Sequence, residues 1–264
     1  MLESISDNVT TIENRIKEEL AEYKDRFSVS YYPVIDSTNT EAKRLILSEN
    51  ADMRIIVAGE QTNGRGRRGR SFYSPDHTGI YMTLLVPTYL PIENILSVTT
   101  AASVAVEAGI KKVTGIQTGI KWVNDIYLND KKIAGILCET VTNHQERKFV
   151  IIGIGINVST DNFPDDISAI AGNLTNESLD HCILISQIAK SIIYFFDNPD
   201  DTSYLKEYKE NSIVLGKKVI YEQNGIKFDA IAIDIDEKGG LIVQQPDGTC
   251  ITLSTGEITL RLKN

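Results

Sequence analysis

The chain changes its pattern after Gly216, where five short strand-like segments follow one another with turn residues between them. Dipeptides such as Asn224-Gly225 and Asp247-Gly248 favour the tight turns that join antiparallel strands. Short strands at this spacing are typical of a small all-β barrel. We therefore predict a C-terminal barrel of about 50 residues, with strands at 217–223, 226–234, 240–245, 249–254 and 257–262.

The region before Gly216 mixes helical and strand-like patterns. Some segments repeat apolar residues at helical spacing, and others are short continuous apolar runs. Thr10 with Glu13, and Thr38 with Glu41, have the spacing of a capping box at a helix start. The predicted helices are about 10–26, 38–48, 92–113, 179–196 and 204–211. The predicted strands are 27–34, 54–58, 79–86, 118–122, 126–128, 132–141 and 148–158.

Composition limits the classes of function that fit this chain. With 264 residues, 42% of them hydrophobic, the chain is long enough to bury a large core. A formal net charge of −9 argues against general nucleic-acid binding, which needs a basic surface. Cys138, Cys182 and Cys250 follow no disulfide or zinc spacing, so we expect a cytoplasmic location. The sequence has no apolar run for a membrane helix, no signal-peptide pattern and no metal-ligand spacing among its three histidines.

Residues 64–70, Gly-Arg-Gly-Arg-Arg-Gly-Arg, have the most distinctive chemistry in the chain, and we name them the arginine loop. They hold four of the ten arginines of this acidic protein. Glycine permits sharp turns and close approach to a ligand, and the arginine fork matches carboxylate and phosphate oxygens. Because glycines alternate with the arginines and a strand precedes the loop, the pattern favours a grip for an anionic ligand over a solvated turn or a nucleic-acid patch.

Two other segments could contribute to a ligand site. Ser37 and Thr38 precede a helix, whose free amide groups favour an anion or a polar ligand. A simple N-cap explains these two residues equally well. Gly153 and Gly155 interrupt an apolar strand, which indicates a bulge or a close approach by a ligand or by backbone.

Two lysine-containing segments complete the candidate residues. Lys121, Asn124 and Asp125 stand close together at the end of a short strand. They could meet a phosphate, a metal ion or an amine, or they could form an ordinary turn. Lys132 begins an apolar strand, where it either reaches solvent or neutralises an anion in a pocket.

Taken in order, these segments resemble the motifs of biotin protein ligases, also called biotin–acetyl-CoA-carboxylase ligases. The resemblance covers about residue 27 to the C-terminus, including Gly256-Glu257-Ile258 and Arg261 in the barrel. The matching segments are Asp-Ser-Thr-Asn at 36–39, Glu-Gln-Thr at 60–62, the arginine loop, Lys-Trp-x-Asn-Asp at 121–125, Lys-x-Ala-Gly-Ile-Leu at 132–137 and Gly-x-Gly-Ile-Asn-Val at 153–158.

The resemblance implies an α+β fold. Its main part would be a mixed sheet with helices, like that of class II aminoacyl-tRNA synthetases and lipoate ligases, and an SH3-like barrel would follow. The expected divisions are an N-terminal helical extension at 1–26, a catalytic domain at 27–213 and the barrel at 214–264. An N-terminal winged helix-turn-helix does not fit in the extension, so we expect a monofunctional ligase without specific DNA binding.

The resemblance also implies a role for each candidate residue. Arg67, Lys132 and Lys121 would be catalytic. Arg65 and Arg67 would face the ligand, whereas Arg68 and Arg70 would position the loop. Biotin would contact Ser37, Thr38, Asn39, Gln61, Gly64, Arg65, Gly66, Arg67, Lys132, Leu137, Gly153 and Gly155. ATP or the adenylate would contact Arg65, Arg67, Arg68, Arg70, Lys121, Asn124, Asp125, Asn157, Glu257 and Arg261, of which the last two would couple the barrel to the active site.

The implied substrates are biotin and ATP with Mg²⁺, without a permanently bound cofactor and with metal ligands left undefined. The implied partner is the biotin carboxyl carrier domain of a carboxylase, and the implied assembly is a monomer or a homodimer joined through sheet edges. Val123 stands where the family usually has proline and Phe72 where it usually has tryptophan, so we expect altered rates with function retained.

Three alternatives remain open at this point. A lipoate or octanoate ligase of the same fold would typically carry an Arg-Arg-x-x-Gly-Gly-Gly loop, which this chain lacks. A non-catalytic biotin-binding protein would share the binding residues without the chemistry. A nucleic-acid-binding protein could use the arginine loop and the barrel, although the net charge of −9 opposes it.

Overall fold

A computed structural model describes residues 2–48, 51–88, 95–223, 225–254 and 258–260 of the chain. Its helices are α1 (Leu2–Glu19), α2 (Thr38–Leu47), α3 (Ile95–Thr114), α4 (Asp165–Ser168), α5 (His181–Asp197) and α6 (Ser203–Glu210). Short 3-10 helices cover Ala21–Arg26 and Arg67–Gly69. The strands are β1 (Ser28–Ile35), β2 (Arg54–Gln61), β3 (Gly79–Pro87), β4 (Gly119–Lys121), β5 (Asp125–Leu128), β6 (Lys131–Thr142), β7 (Lys148–Asn157), β8 (Lys218–Gln223), β9 (Ile226–Ile235), β10 (Leu241–Gln244), β11 (Cys250–Leu253) and β12 (Ile258–Leu260).

The first seven strands form one mixed sheet in the order β1-β2-β3-β7-β6-β5-β4. Strands β1 and β2 are parallel because α2 connects them as a crossover, and the other neighbours are antiparallel. The central strands β3 and β7 are almost entirely buried, which explains their continuous apolar sequences. The predicted mixed sheet with helices is confirmed.

Helices cover the two faces of this sheet unequally. The larger apolar cluster joins α1, α3 and α5 to alternate strand residues such as Val57 and Ile152. The smaller cluster places Ile46 of α2 against the intervening residues Ile56 and Ile151. Because successive side chains of a strand point to opposite faces, the odd-numbered residues of β7 lie on the α2 face. The glycines of β7 are among them.

The N-terminal helix differs from its prediction. Helix α1 begins at Leu2, runs through Thr10 and ends at Glu19, and a 3-10 helix follows that starts at Ala21 (φ 52°). The predicted helix is present, but its predicted bounds of 10–26 and its Thr10–Glu13 capping box are wrong. Glu13 instead accepts a hydrogen bond from the backbone N–H of Tyr31 on edge strand β1, at 2.8 Å. The apolar stripe of α1 packs as expected, with Ile16 and Leu20 fully buried.

The second predicted capping box is also wrong. Ser37 is the N-cap of α2, and Thr38 is its first helical residue. Glu41 donates its backbone N–H to the Ser37 carbonyl, while its carboxylate pairs with Arg44. Thr38 thus keeps its side chain available for contacts outside the helix.

The last five strands form an antiparallel sheet in the order β11-β10-β9-β8-β12, which confirms the predicted C-terminal barrel. Alternate residues such as Val219, Ala232 and Val243 are fully buried and form its core. The described residues leave out 92–94 of one predicted helix, Asn224 of a predicted turn, and 257, 261 and 262 of the last predicted strand. Within the described ranges, no helix is long and apolar enough to cross a membrane.

Glu107 of α3 is a buried carboxylate that joins three segments. It is 2% exposed and accepts hydrogen bonds from Gln117 Nε2 (2.9 Å) and Asn211 Nδ2 (3.2 Å). Burial raises its pKa above the ordinary value of 4.5. The folded protein therefore binds this proton more tightly than the unfolded chain, and stability falls as pH rises from the unfolded pKa through the folded one.

We expect the Glu107→Gln variant to melt at a higher temperature than the parent protein at pH 8, because the variant buries no charge. If that charge costs about 1 kcal/mol, the difference is roughly 2–4 °C. The difference should vanish near pH 4, where both states of the parent hold the proton. Thermal unfolding at the two pH values measures the difference, with the exposed Glu210→Gln variant as control. A lower melting temperature of Glu107→Gln at pH 8 would contradict the conclusion that the buried charge destabilises the fold.

Candidate functional site

A cleft lies on the α2 face of the sheet, at the point where β6 and β7 carry glycine. Gly135 and Leu137 of β6 pair with Gly155 and Gly153 of β7, so these four residues form the cleft floor. The absence of side chains at the glycines leaves room above the sheet for other groups. The cleft is lined by Ser37, Thr38, Asn39, Gln61, Arg65, Gly66, Arg67, Phe72, Met82, Asn124, Lys132, Gly135, Ile136, Leu137, Gly153, Ile154 and Gly155.

The N-terminal residues of α2 form one wall of the cleft. The Thr38 backbone N–H and hydroxyl both donate to Gln61 Oε1, at 2.9 and 3.1 Å. The Gln61 side-chain amide donates in turn to Ser74 Oγ at 2.9 Å. Ser37, Thr38 and Asn39 are each less than 5% exposed. This chain of hydrogen bonds presets a row of polar groups at one end of the cleft.

Asn39 occupies the space that the first floor glycine leaves free. A Cβ atom at Gly153 would lie 2.0 Å from Asn39 Oδ1. Asn39 Nδ2 donates to Glu139 Oε2 at 3.1 Å and approaches the Leu137 carbonyl at 3.4 Å. The Thr83 hydroxyl lies 2.7 Å from Asn39 Oδ1. The Asn39 side chain is thus held at both its amide nitrogen and its amide oxygen.

The arginine loop covers the cleft as a closed hairpin. Phe72 donates its N–H to the Gly64 carbonyl at 2.9 Å, and Gly66 donates to Arg70 at 2.7 Å. Gly64 must be glycine, because a Cβ atom there would lie 2.3 Å from the Phe72 carbonyl oxygen. Exposed Arg68 adopts φ 55° at the tip of the loop.

The four arginines of the loop differ in position. Arg65 makes a bidentate contact with Glu139, with nitrogen–oxygen distances of 3.0 and 3.1 Å. Arg67 donates to Asn124 Oδ1 at 2.8 Å. Both line the cleft and are half-buried, whereas Arg68 and Arg70 are exposed. The structure therefore places Arg65 and Arg67 at the cleft and Arg68 and Arg70 at the surface.

The ring of Phe72 fills much of the cleft. A Cβ atom at Gly155 would lie 2.5 Å from this ring, and one at Gly135 would lie 3.6 Å from it. The remaining free volume is about 40 Å³, far below the roughly 300–1,000 Å³ of most small-molecule sites. A ligand of ordinary size can therefore be buried here only if Phe72 and the arginine loop move.

Lys132 and Asp125 form an ion pair beside the cleft, with Nζ and Oδ1 2.7 Å apart. Asn124 donates its side-chain amide to the Ile136 carbonyl at 2.9 Å. Lys132 is also fixed through its backbone, which bonds to Ile170 and Gly172 at 2.8 and 2.9 Å. An ammonium group has three donor hydrogens, so Lys132 can hold a second anion without releasing Asp125.

The segment that carries Asn124 and Asp125 is supported from two sides. The Val123 carbonyl accepts hydrogen bonds from the buried hydroxyls of Tyr208 on α6 and Ser103 on α3, each at 3.1 Å. The Trp122–Val123 peptide bond is cis. Trp122 donates its indole N–H to the Gly239 carbonyl in the barrel at 3.0 Å. The barrel therefore contacts the motif that borders the cleft.

The other predicted residues either do not line the cleft or lie outside the described residues. Lys121 lies on β4 with its ammonium 5.3 Å from the centre of the Tyr127 ring. Asn157 follows Gly155 on the same face of β7 and donates to the Gly172 carbonyl at 3.1 Å. Its Oδ1 is buried and has no hydrogen-bond partner among the described residues. Glu257 and Arg261, the predicted links to the barrel, lie outside the described residues.

Glu139 and Thr83 hold residues that line the cleft, and the sequence interpretation missed both of them. Glu139 lies two residues beyond Leu137 on β6, so both side chains are on the face of the sheet that carries the cleft. A charged residue on that face of an apolar strand was the available sequence signal. Burial alone would raise the pKa of Glu139. Hydrogen bonds from Lys43 and Asn39, with the charges of Lys43 and Arg65, outweigh burial and hold this pKa below its usual value.

Acidic and metal-binding groups are few around this cleft. Among the residues that the structure describes, no three His, Cys, Asp or Glu side chains converge as a metal site would require. The arrangement is suited instead to a ligand with a polar ring end and an anionic end. The polar end would meet Thr38 and Asn39, and the anionic end would meet Arg65, Arg67 and Lys132.

Comparison with known proteins identifies the family. The Biotin/lipoate A/B protein ligase family matches residues 31–157, and the biotin protein ligase C terminal domain matches residues 214–261.

Bifunctional ligase/repressor BirA of Bacillus spizizenii is 33% identical over 226 residues, which are 83% of this chain and 70% of that protein. The biotin–[acetyl-CoA-carboxylase] ligase of Mycobacterium tuberculosis is 27% identical over 84% of this chain and 85% of its own length. The solved biotin protein ligase from Aquifex aeolicus in complex with biotin and ATP has a TM-score of 0.74 and 27% identity, and the match covers 89% of this chain and 99% of that one. The chain belongs to the biotin protein ligase family.

Proposed function

We propose that this protein activates biotin with ATP and attaches it to a lysine of a biotin carboxyl carrier domain. In the first step, the biotin carboxylate attacks the α-phosphate of ATP, and the bond to pyrophosphate breaks. In the second step, the carrier lysine amine attacks the carbonyl of biotinyl-5′-AMP, an amide forms, and AMP leaves. The names of the relatives support biotin as the acid, and the Aquifex aeolicus complex supports ATP as its co-substrate.

One observation carries this proposal. The arginine loop places Arg65 and Arg67 over a glycine floor, with Lys132 at the edge of the same cleft. A carboxylate and a triphosphate repel each other, so their reaction needs fixed positive groups where charge develops. We assign this role to these three side chains.

The remaining roles follow from the wall and the floor of the cleft. Biotin has a bicyclic ring with a ureido group, which both donates and accepts hydrogen bonds. Thr38, Asn39 and Gln61 offer donors and acceptors at the end of the cleft away from Lys132, and Gly153 lets the ring approach the sheet. Asn124 and Asp125 would serve the phosphates or the incoming amine.

Magnesium would bind at this site together with ATP. Magnesium commonly keeps several waters and binds through one or two carboxylates together with substrate phosphates. Asp125, next to Lys132, is the carboxylate that could add a ligand. When bound, the ion would neutralise charge on the phosphates.

Closure of the arginine loop would protect the mixed anhydride from water. Phe72 leaves about 40 Å³ free in the present arrangement, so substrate entry requires the loop to open. The loop would close again over the reacting atoms once biotin and ATP are bound. Lys121, Arg68, Arg70 and Asn157 would then act from outside the cleft floor, as supports of the loop or contacts of the nucleotide.

The proposal is tested with biotin-dependent exchange of pyrophosphate into ATP, followed by transfer of biotin to a purified carrier domain. We expect both reactions with biotin and Mg²⁺, and neither with lipoate as the only acid. Activity with lipoate alone would favour a lipoate-type ligase. Biotin binding without exchange would indicate a binding protein.

Arg67 and Arg68 should contribute unequally to adenylation. Arg67 lines the cleft and contacts Asn124, whereas Arg68 is exposed at the loop tip. We expect Arg67→Ala to lower the exchange rate by roughly 10²-fold or more, as for loss of one group that stabilises developing charge. Arg68→Ala should change it by less than about threefold, because exposed charges interact weakly through water. Steady-state exchange measures both variants, and equal losses would contradict the division of roles.

A further inference from the structure

Glu139 has no role in the proposed chemistry, yet three side chains bind its carboxylate. Its carboxylate lies at 2.7 Å from Lys43 Nζ, 3.1 Å from Asn39 Nδ2 and 3.0–3.1 Å from the two terminal nitrogens of Arg65. Its side chain is 20% exposed. One partly buried anion thus accepts hydrogen bonds from two cations and one amide.

These donors belong to two separate parts of the protein. Asn39 and Lys43 lie one turn apart on α2, whereas Arg65 begins the arginine loop. Glu139 itself lies on β6 of the rigid sheet. Isolated surface ion pairs contribute little, but bidentate arginine contacts and charge networks are the exceptions. The contact is therefore able to fix the start of the loop against α2.

Opening of the loop has to break this contact. The loop is held at its start by Arg65 with Glu139 and further along by Arg67 with Asn124 and by Phe72 over Gly155. Asn39 is the residue that wedges above Gly153, and it shares the carboxylate with Arg65. A shift of Asn39 or Lys43 would consequently alter the grip on Arg65.

We propose that Glu139 is a positioning residue that ties the arginine loop to α2, and that it thereby controls how often the loop opens and how long the activated intermediate is retained. The first part concerns the protein without substrates. The second part rests on the proposed function, because it needs biotinyl-5′-AMP in the cleft.

The first part is tested by trypsin, which cuts after arginine and reaches the arginine loop when the loop opens. In Glu139→Gln the side chain keeps its shape and loses its charge. Because Arg68 and Arg70 are exposed in the closed loop, the readout is cleavage after half-buried Arg67. We expect this cleavage to be at least about tenfold faster in Glu139→Gln than in the parent, since the charge-assisted contact with Arg65 is weakened. The control Glu41→Gln removes another ion-paired carboxylate, on α2 itself, and it should leave this cleavage rate unchanged.

A second variant protects the test from a folding artefact. Arg65→Gln removes the other side of the contact from the loop itself, and the double variant with Glu139→Gln completes a cycle. If the two residues act through one contact, the double variant should be cut no faster than the faster single variant. Multiplied effects in the double variant, or a parent-like rate in folded Glu139→Gln, would overturn the proposal that Glu139 ties the arginine loop to α2.

The second part is tested by the release of preformed biotinyl-5′-AMP, made from biotin and ATP and chased with unlabelled biotin. We expect release from Glu139→Gln to be about tenfold faster, with biotin appearing on unrelated lysines, while Glu41→Gln behaves as the parent. Faster trypsin cleavage with unchanged release would overturn the retention role alone. Absence of adenylate in the parent protein would instead reject the proposed function. The trypsin result would still show whether Glu139 ties the arginine loop to α2.

Discussion

The Lys132→Ala variant is expected to lose biotin-dependent ATP–pyrophosphate exchange by roughly 10²–10³-fold, the usual effect of removing one preorganised group that stabilises developing charge. Lys132 lies at the edge of the cleft, and its ammonium is held 2.7 Å from Asp125. The alanine variant lacks the positive charge that the two reacting anions need. It also leaves the Asp125 carboxylate without its partner, which adds repulsion toward the triphosphate. The exchange rate, measured at saturating biotin and ATP, reports the combined effect.

Lys131→Ala is the matched control for this prediction. Lys131 is the neighbouring residue on the same strand, and its ammonium donates to the carbonyls of Ser168 and Ala169, away from the cleft. We expect this variant to retain exchange within about threefold of the parent, because it removes a charge outside the site. Equal losses in the two variants, with unchanged melting temperatures, would reject the assignment of Lys132 to the chemistry.

The Gly153→Ala variant is expected to weaken biotin binding by roughly 10–100-fold and to lower the melting temperature. A Cβ atom at this position would lie 2.0 Å from Asn39 Oδ1. Asn39 cannot yield easily, because Glu139 holds its amide and Thr83 its oxygen. Overpacking of this kind costs about 1–3 kcal/mol. Calorimetric titration with biotin and thermal unfolding measure the two effects.

Gly155→Ala provides the comparison within the same strand. Its added Cβ would meet the ring of Phe72 at 2.5 Å, and Phe72 follows the arginine loop in the chain and has to move with it for substrate entry. We expect the variant to keep a melting temperature near that of the parent and to expose the arginine loop to trypsin. If Gly153→Ala bound biotin as the parent does, Asn39 would be shown to be mobile, and the wall of the cleft would not be preset.

Local sequence patterns were sufficient for most of the fold. The β6 and β7 strands were predicted within a residue of their observed ends, because both are apolar runs that the sheet buries. The N-terminal helix was not, since the Thr10–Glu13 spacing resembles a helix start while the helix already runs through it. Capping boxes are local signals, and the packing of α1 against α5 and β1 decides where that helix begins and ends.

Motif order was sufficient to bring Thr38, Arg65 and Lys132 to one site, but it did not define their partners. Glu139 lies outside every motif, and its importance arises from three donors on two other segments. The predicted link between barrel and site at Glu257 and Arg261 lies outside the described residues, whereas Trp122 and Gly239 make such a contact. Contacts between residues this distant in the chain have no local signature.

The sequence by itself determined the kinds of groups in the site, the α+β architecture with its terminal barrel, and the family. These depend on residue type, apolar periodicity and the order of short motifs, all of which are local properties. Only the tertiary structure decided that Phe72 fills the cleft, that Asn39 is wedged above Gly153 and that Glu139 ties the arginine loop to α2. The reason is that these contacts are set by how the arginine loop and α2 pack against the same face of the sheet, and this packing is a property of the whole fold.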